Sequence, residues 1–199
     1  MNDYTVKMLF PTCIHEYVYD NFDEKELINF CYKEKKENPD GLFNSNRGGW
    51  HSPFYNLIKD DNIISKTLSK GLGKSIFTSI NSNLGVNVQY WIMINHPNSY
   101  NTSHTHPDAH LSGVMWIKSK KNSGNLLLNN PFDFTGYVEC HSYIDEFKKN
   151  TAFYPTYNFE PIVGKLLTFP SSLRHEVAIN ESKEDRIAVS FNIRLTDIN

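Results

Sequence analysis

The feature that most constrains this chain is a change of texture near residue 82. Before it, apolar residues recur at helical spacing. After it, short runs rich in β-branched and aromatic residues follow one another between polar turns. Gly85 to Asn95 carries VNVQYWIMIN, and Leu111 to Lys118 reads LSGVMWIK. Asn125 to Asn129, a segment within Pro161 to Phe169 with Gly164 as its turn, and Ile187 to Leu195 complete the strand candidates. The stretches His96–Thr102 and Lys120–Gly124 read as polar turns, and residues 131–160 as loop-rich and aromatic with a short helix near Tyr143 to Lys149. Two helices followed by a succession of short strands predict a β-sandwich or barrel with helical support.

The helical part has its own signals. Leu27, Ile28, Cys31 and Tyr32 share a helical face up to about Lys36, with Asp20 or Asn21 as candidate caps and Asn38-Pro39-Asp40-Gly41 as the stop. From Asp61 to Ile80, Ile64, Leu68, Leu72 and Ile76 form one apolar stripe, which Gly71 and Gly73 weaken and Asn81-Ser82-Asn83 ends. No repeat or low-complexity linker interrupts the sequence. The expectation is one domain over residues 1–199, with a helical support (1–82) and a β core (83–199).

Bulk properties narrow the function classes. With 20 basic and 22 acidic residues the net charge is −2, so no basic field is available for a nucleic-acid backbone. The three cysteines (Cys13, Cys31 and Cys140) have neither disulfide-framework nor metal spacing, which reads as a reduced, cytoplasmic setting. No signal-peptide pattern opens the chain, and no apolar run approaches the roughly 20 residues that span a bilayer. Aromatic content of 14 % suits half-buried strand faces.

Chemistry concentrates around histidine. Three of the eight histidines, His104, His106 and His110, fall within seven residues. Side chains two apart on a strand share a face, so His104 and His106 aim at one point, and Asp108 continues the parity beyond Pro107. Two imidazoles and one more ligand on one side of a metal leave positions open, which suits Fe(II) better than a closed thiolate zinc site. The pair alone is a modest signal, since a His-x-His at a strand edge is commonly a solvated turn.

His175 is the candidate third ligand, delivered by the proline-bounded turn in Phe169-Pro170-Ser171-Ser172-Leu173-Arg174-His175. Arg186 follows, sharing a strand face with Ala188 and Ser190. A guanidinium facing the inside of a barrel requires an anion, and a carboxylate held in its fork fits that need; on an outward face it would be solvated.

These residues resemble a known family. The sequence carries His-x-His-Pro before Leu-Ser-Gly-Val-Met-Trp, then Ser-Gly-Asn-Leu and Asn-Pro, then Phe-Pro-Ser-Ser-Leu-Arg-His and Arg-Ile-Ala-Val-Ser-Phe-Asn. Leu-Phe-Pro-Thr near the start and Ser45 to Ser52 are similar too. Together they are similar to the small 2-oxoglutarate- and Fe(II)-dependent oxygenases of bacteria and phages, distant relatives of prolyl 4-hydroxylases. The resemblance implies a double-stranded β-helix, a cupin-like jelly-roll, with iron in its mouth. It implies His175 as distal ligand and Arg186 as the residue that binds the far carboxylate of 2-oxoglutarate, with Ser190 or Thr168 adding a hydroxyl and Asn192 a further contact. His104 and His106 are the proximal ligands in one register, and His106 with Asp108 in another. The His-x-His-Pro motif favours the first, while the usual two-histidine, one-carboxylate set favours the second.

The implied reaction is hydroxylation of a C–H bond using O2, with 2-oxoglutarate converted to succinate and CO2 and ascorbate as a candidate accessory. Trp116, and either Tyr90, Ile92 and Ile94 or Trp91 and Met93, are candidate pocket residues, and Arg47 to Ser52 reads equally as a lid over the site or as a packed turn. Rival readings are a three-histidine cupin-type dioxygenase that works without 2-oxoglutarate and a non-catalytic jelly-roll binding module. A small-molecule or peptidyl substrate fits either enzyme.

Overall fold

The computed structural model describes residues 11–80, 84–131 and 155–197. Two antiparallel sheets face each other. The larger is ordered β1-β10-β7-β12-β5-β3, with β4 also on β5. Its strands are β1 (His15–Val18), β3 (Trp50–His51), β4 (Tyr55–Asn56), β5 (Leu84–Asn95), β7 (Leu111–Lys118), β10 (Lys165–Pro170) and β12 (Arg186–Asp197). The smaller is ordered β2-β6-β11-β8-β9: β2 (Asn46–Arg47), β6 (Tyr100–His104), β8 (Leu126–Asn129), β9 (Thr156–Phe159) and β11 (His175–Val177). Among the described residues from β5 onward, four strands, β5, β7, β10 and β12, lie in the larger sheet and four, β6, β8, β9 and β11, in the smaller. This is the double-stranded β-helix that the resemblance implies.

The helices cover the outer face of the larger sheet. Helix α1 (Glu24–Glu37) is capped by Asp23, whose side chain accepts from the Glu26 N–H at 3.0 Å, so neither Asp20 nor Asn21 is the cap. Helix α2 (Ile63–Lys74) begins with a capping box between Asn62 and Ser65 and stops just after Gly73. A 3₁₀ turn over Ile76–Ser79 replaces the rest of the expected helix. The stripe Ile64, Leu68, Leu72 and Ile76 is buried as its spacing predicts. Gly71 is more than a weak point: a Cβ there would lie 2.0 Å from the Tyr19 hydroxyl, so its bareness lets α2 approach the chain after β1.

Strand parity divides the core in two. Tyr90, Ile92, Ile94, Met115, Ile117, Leu166, Ile187, Val189, Phe191 and Ile193 pack under the helices. Val114, Trp116, Leu167, Phe169 and Ala188 face the other way, toward Leu126, Leu128 and Leu173 of the smaller sheet and its approaches. Strand β5 is buried continuously from Tyr90 to Asn95 because both of its faces are covered.

Some elements differ from the sequence expectation. The polar turn after β5 is shorter, and β6 begins at Tyr100, inside the stretch read as turn. Residues 46–51 form a corner that adds β2 to one sheet and β3 to the other, turning at Gly48 with φ 75°. Trp50 is buried in the core and donates its indole N–H to the Asn38 carbonyl at 2.8 Å, so this segment is a packed junction rather than a free lid. The helix expected at Tyr143 to Lys149 and Cys140 lie outside the described residues; Cys13 and Cys31 carry free thiols.

Candidate metal centre

His104 ends β6 and His175 opens β11, and the two are direct cross-strand partners. His106 lies two residues past β6, its backbone N–H held by the Ser171 carbonyl at 3.0 Å. The three rings come together: centroid separations are 4.4 Å for His104 and His175, and 5.0 Å for each of the other pairs. One ligand nitrogen from each lies within 4.8 Å of the others.

Hydrogen bonds orient every ring alike. His104 Nδ1 is 2.7 Å from the Thr102 carbonyl, His175 Nδ1 is 2.9 Å from the Leu173 carbonyl, and His106 Nδ1 is 2.5 Å from Asn192 Oδ1. A carbonyl oxygen only accepts, so each Nδ1 carries the proton. The Ser112 hydroxyl donates to the same Asn192 oxygen at 2.7 Å and lies 3.1 Å from His106 Nδ1, so the three side chains form one cluster. Each histidine is therefore left with an Nε2 lone pair for a shared ligand. Burial lowers all three pKa values, His175 to about 3. The imidazoles stay neutral near pH 7, the form that ligates metal.

Two spaces meet at this cluster. A narrow inner cavity of about 50 Å³ lies between the sheets and is lined by His104, His106, His175, Trp91, Met93, Asn101, Trp116, Arg186 and Ser190, among others. Tyr90, Ile92 and Ile94 belong to the helix-side core instead. An open outer cleft of about 530 Å³ shares Ser45, Trp91, His104 and His106 with it and extends over Phe54, Gln89, Pro107, Asp108 and Asn192.

Arg186 is 3 % exposed and points into the inner cavity. Its Nη1 donates to the Gly124 carbonyl at 2.9 Å, while its buried Nε has no partner among the described residues. Burial lowers its pKa to about 10, so the guanidinium remains charged at neutral pH. An unpaired buried cation beside three neutral lone pairs is chemically suited to a ligand that is anionic at one end and chelates metal at the other. The donor set therefore fits a divalent metal together with a dicarboxylate.

The other expected residues fall into place unevenly. Asp108 is exposed in the outer cleft and outside the three-histidine cluster, and its carbonyl accepts from Arg194. His110 turns away, its Nδ1 accepting from the Leu195 N–H at 3.1 Å. Ser190 lines the cavity beside Arg186, but Thr168 does not. Thr168 shares strand parity with Leu166 on the helix side, where its buried hydroxyl has no hydrogen-bond partner among the described residues. Asn192 orients His106 rather than lining the inner cavity.

Sequence reasoning missed Asn101 and Ser112. The register of β6 on β11 slips between His175 and Val177, where His104 and Asn101 are three residues apart against two. This bulge turns Asn101 to the cavity side along with His104, against simple alternation. Ser112 was findable, as a polar residue at the parity of Val114 and Trp116.

Comparison with known proteins gives the family and the fold. Residues 89–192 match the family described as "Putative 2OG-Fe(II) oxygenase". The chain is similar to a Pseudomonas putida prolyl-4-hydroxylase, at 14% identity over 86% of this chain and 85% of that one, with a TM-score of 0.60. It is also similar to HygX from Streptomyces hygroscopicus, solved with nickel, 2-oxoglutarate and hygromycin B, at 12% identity over 92% and 83%, TM-score 0.58. A third likeness is the Trichoplax adhaerens prolyl hydroxylase in complex with a hypoxia inducible factor peptide fragment, at 16% identity over 92% and 83%, TM-score 0.55. At such identities these structures establish the fold alone. No curated protein matches the sequence.

Proposed function

This chain belongs to the 2-oxoglutarate- and Fe(II)-dependent oxygenase family, and on that premise we propose that His104, His106 and His175 hold the iron while Arg186 binds the distal carboxylate of 2-oxoglutarate. The observation that carries the assignment is the Arg186 guanidinium, buried in the cavity that the three histidines line and without an anionic partner among the described residues. Iron and 2-oxoglutarate bound there supply the activation of O2, with succinate and CO2 released as a substrate C–H bond is hydroxylated.

The chain's own residues do the rest. The Thr102 and Leu173 carbonyls and the Asn192 amide keep each Nδ1 protonated, so that Nε2 is ready for the metal. Arg186 and Ser190, which both line the cavity, orient the cosubstrate. Trp91, Trp116 and Phe169 exclude water around it, which strengthens the carboxylate–guanidinium attraction. The outer cleft leaves the opposite side of the histidines to substrate.

The three-imidazole set, without a carboxylate, is shared with dioxygenases that use no 2-oxoglutarate; Arg186 and the family match argue against that reading here. The non-catalytic alternative is disfavoured by three neutral, convergent histidines. We take residues 1–199 as one oxygenase domain, helices included. No described helix is long and apolar enough to cross a membrane. Free Cys13 and Cys31 favour a cytoplasmic setting, and the substrate is a small molecule or a peptidyl side chain.

The test is the visible charge-transfer band of the Fe(II)–2-oxoglutarate chelate, formed anaerobically. Wild type should develop it, and Arg186→Ala should need far more 2-oxoglutarate while binding metal normally. A folded, iron-loaded wild type that develops no band overturns the assignment.

A further inference from the structure

The outer cleft has a chemistry of its own. Beside His106, the Trp91 and His51 rings lie parallel, 3° apart in plane and 5.7 Å between centroids. Phe54 stands nearly perpendicular to both, 5.3 Å from His51 and 5.5 Å from Trp91. The three rings make a corner, and Phe54 is 46% exposed in it. His51 is fixed by its Nδ1 contact to the Ser52 carbonyl at 2.6 Å and by the Asn44 amide at 3.2 Å from Nε2. It serves as an uncharged plate: burial lowers its pKa.

Among the described residues, the charge that lines the corner itself has one sign. Among the described residues that line the cleft there is no lysine or arginine, and Asp108 is the one carboxylate. Outside the lining, Arg194 donates to the Asp108 carbonyl, through Nε at 2.9 Å and Nη2 at 2.6 Å, and Arg47 donates to the Asn44 carbonyl at 3.0 Å, which directs both guanidinium groups at backbone oxygens. Aromatic faces attract C–H edges and cations and repel anions. Asn44, Gln89 and Thr105 add neutral hydrogen-bonding groups at the rim.

Resting on the oxygenase reading of the inner cavity, we propose that the outer cleft admits a substrate whose reacting end is a neutral or cationic ring, seated on Phe54 and Trp91, and that it rejects anionic ends such as phosphate esters. Trp91 is 7% exposed and 5.6 Å from the His106 ring, so a ring that packs on Phe54 and meets the exposed part of Trp91 sits beside the metal ligands. Phe54 is the specificity-determining contact, and Asp108 selects for positive charge.

The experiment uses the full chain loaded with zinc in place of iron and saturated with 2-oxoglutarate, so that the Arg186 cavity is filled and no turnover occurs. Benzylamine, benzyl alcohol and benzyl phosphate are compared by saturation-transfer NMR, with 2-oxoglutarate binding followed by calorimetry in the same samples. The amine and the alcohol should bind and the phosphate should not. Phe54→Ala should weaken both by about fivefold or more, Phe54→Tyr should restore binding, and Asp108→Asn should weaken the amine alone. Equal binding of the phosphate, insensitivity to Phe54→Ala, or no binding of any ring overturns the proposal. If 2-oxoglutarate binds while the rings do not, the ring platform alone fails; if 2-oxoglutarate itself does not bind, the oxygenase reading fails.

Discussion

Arg186 Nη1 lies 2.9 Å from the carbonyl oxygen of Gly124, and among the described residues this is the guanidinium's one hydrogen bond. The contact positions a buried cation without neutralising it. Leaving a charge so poorly paired is a cost in the empty protein, and it is offset only when an anion arrives.

Replacing Arg186 by methionine should therefore have opposite effects on stability and binding. Charge-assisted hydrogen bonds contribute about 1.5–3 kcal/mol, so 2-oxoglutarate affinity should fall by about tenfold to a hundredfold. Without ligand, the variant should melt no lower than wild type and up to a few degrees higher, because an unpaired charge gives way to an apolar side chain of similar length. Thermal melts with and without 2-oxoglutarate check both. A variant that melts several degrees lower would mean that the guanidinium is already well paired.

Asn192 should control metal affinity without touching the metal. Its Oδ1 accepts from His106 Nδ1 at 2.5 Å and from the Ser112 hydroxyl at 2.7 Å. Asn192→Ala frees the His106 ring to rotate or to change tautomer, and removing such a support weakens a metal site by about tenfold to a hundredfold. Titration with Mn(II), read by electron paramagnetic resonance, should show this loss with the circular dichroism spectrum unchanged. Ser112→Ala should give a smaller loss of the same kind.

These residues also show what the sequence reveals and what it conceals. Strand β7 and the second half of β5 are legible because both faces are buried, so their apolar runs are nearly continuous, whereas β12 is legible from Ile187 to Val189 and then from apolar residues alternating with Ser190, Asn192 and Arg194. Strands β2, β3 and β4 have two residues each, too few for any period, and exist through the partners they meet in β5 and β6. The polar sequence of β6 hides a strand because its inward residues face a cavity instead of a core. The His-x-His spacing points to the cluster, yet the choice between His104 and Asp108 depends on the pairing of His104 with His175, a contact 71 residues apart in sequence. The aromatic corner at His51, Phe54 and Trp91 joins β3, the segment after it and β5, and no local pattern announces it.

The histidine cluster should make the metal-free protein acid-sensitive. Burial, the leading cause, lowers His175 to about 3, against about 6.5 for an unperturbed imidazole. Between those values the unfolded chain binds a proton that the folded chain excludes. Stability is thus full above about pH 6.5 and falls as the pH drops toward 3, by up to about 1.4 kcal/mol per pH unit for each such proton. Burial shifts His104 and His106 in the same direction. Urea midpoints measured from pH 7.5 downward should decline over this window, and His175→Gln, which cannot take up the proton, should flatten the decline. An unchanged slope in that variant would remove His175 as its source.

Gly71 offers a test of the packing that holds the helices on the sheet. In an exposed helix, glycine to alanine stabilises by about 1 kcal/mol. Here a Cβ at residue 71 would lie 2.0 Å from the Tyr19 hydroxyl oxygen and 3.1 Å from a Leu166 methyl. Tyr19 cannot simply swing away, because its hydroxyl donates to the Thr67 carbonyl of α2 at 2.9 Å and its ring packs on Tyr17 and Phe22. Overpacking of this kind costs about 1–3 kcal/mol, enough to outweigh the helical gain. Gly71→Ala should lower the melting temperature by several degrees, whereas Gly73→Ala, with no atom within 4 Å of its added Cβ, should raise it slightly. If both variants move the same way, the close approach of α2 to Tyr19 is not what fixes the helix in place.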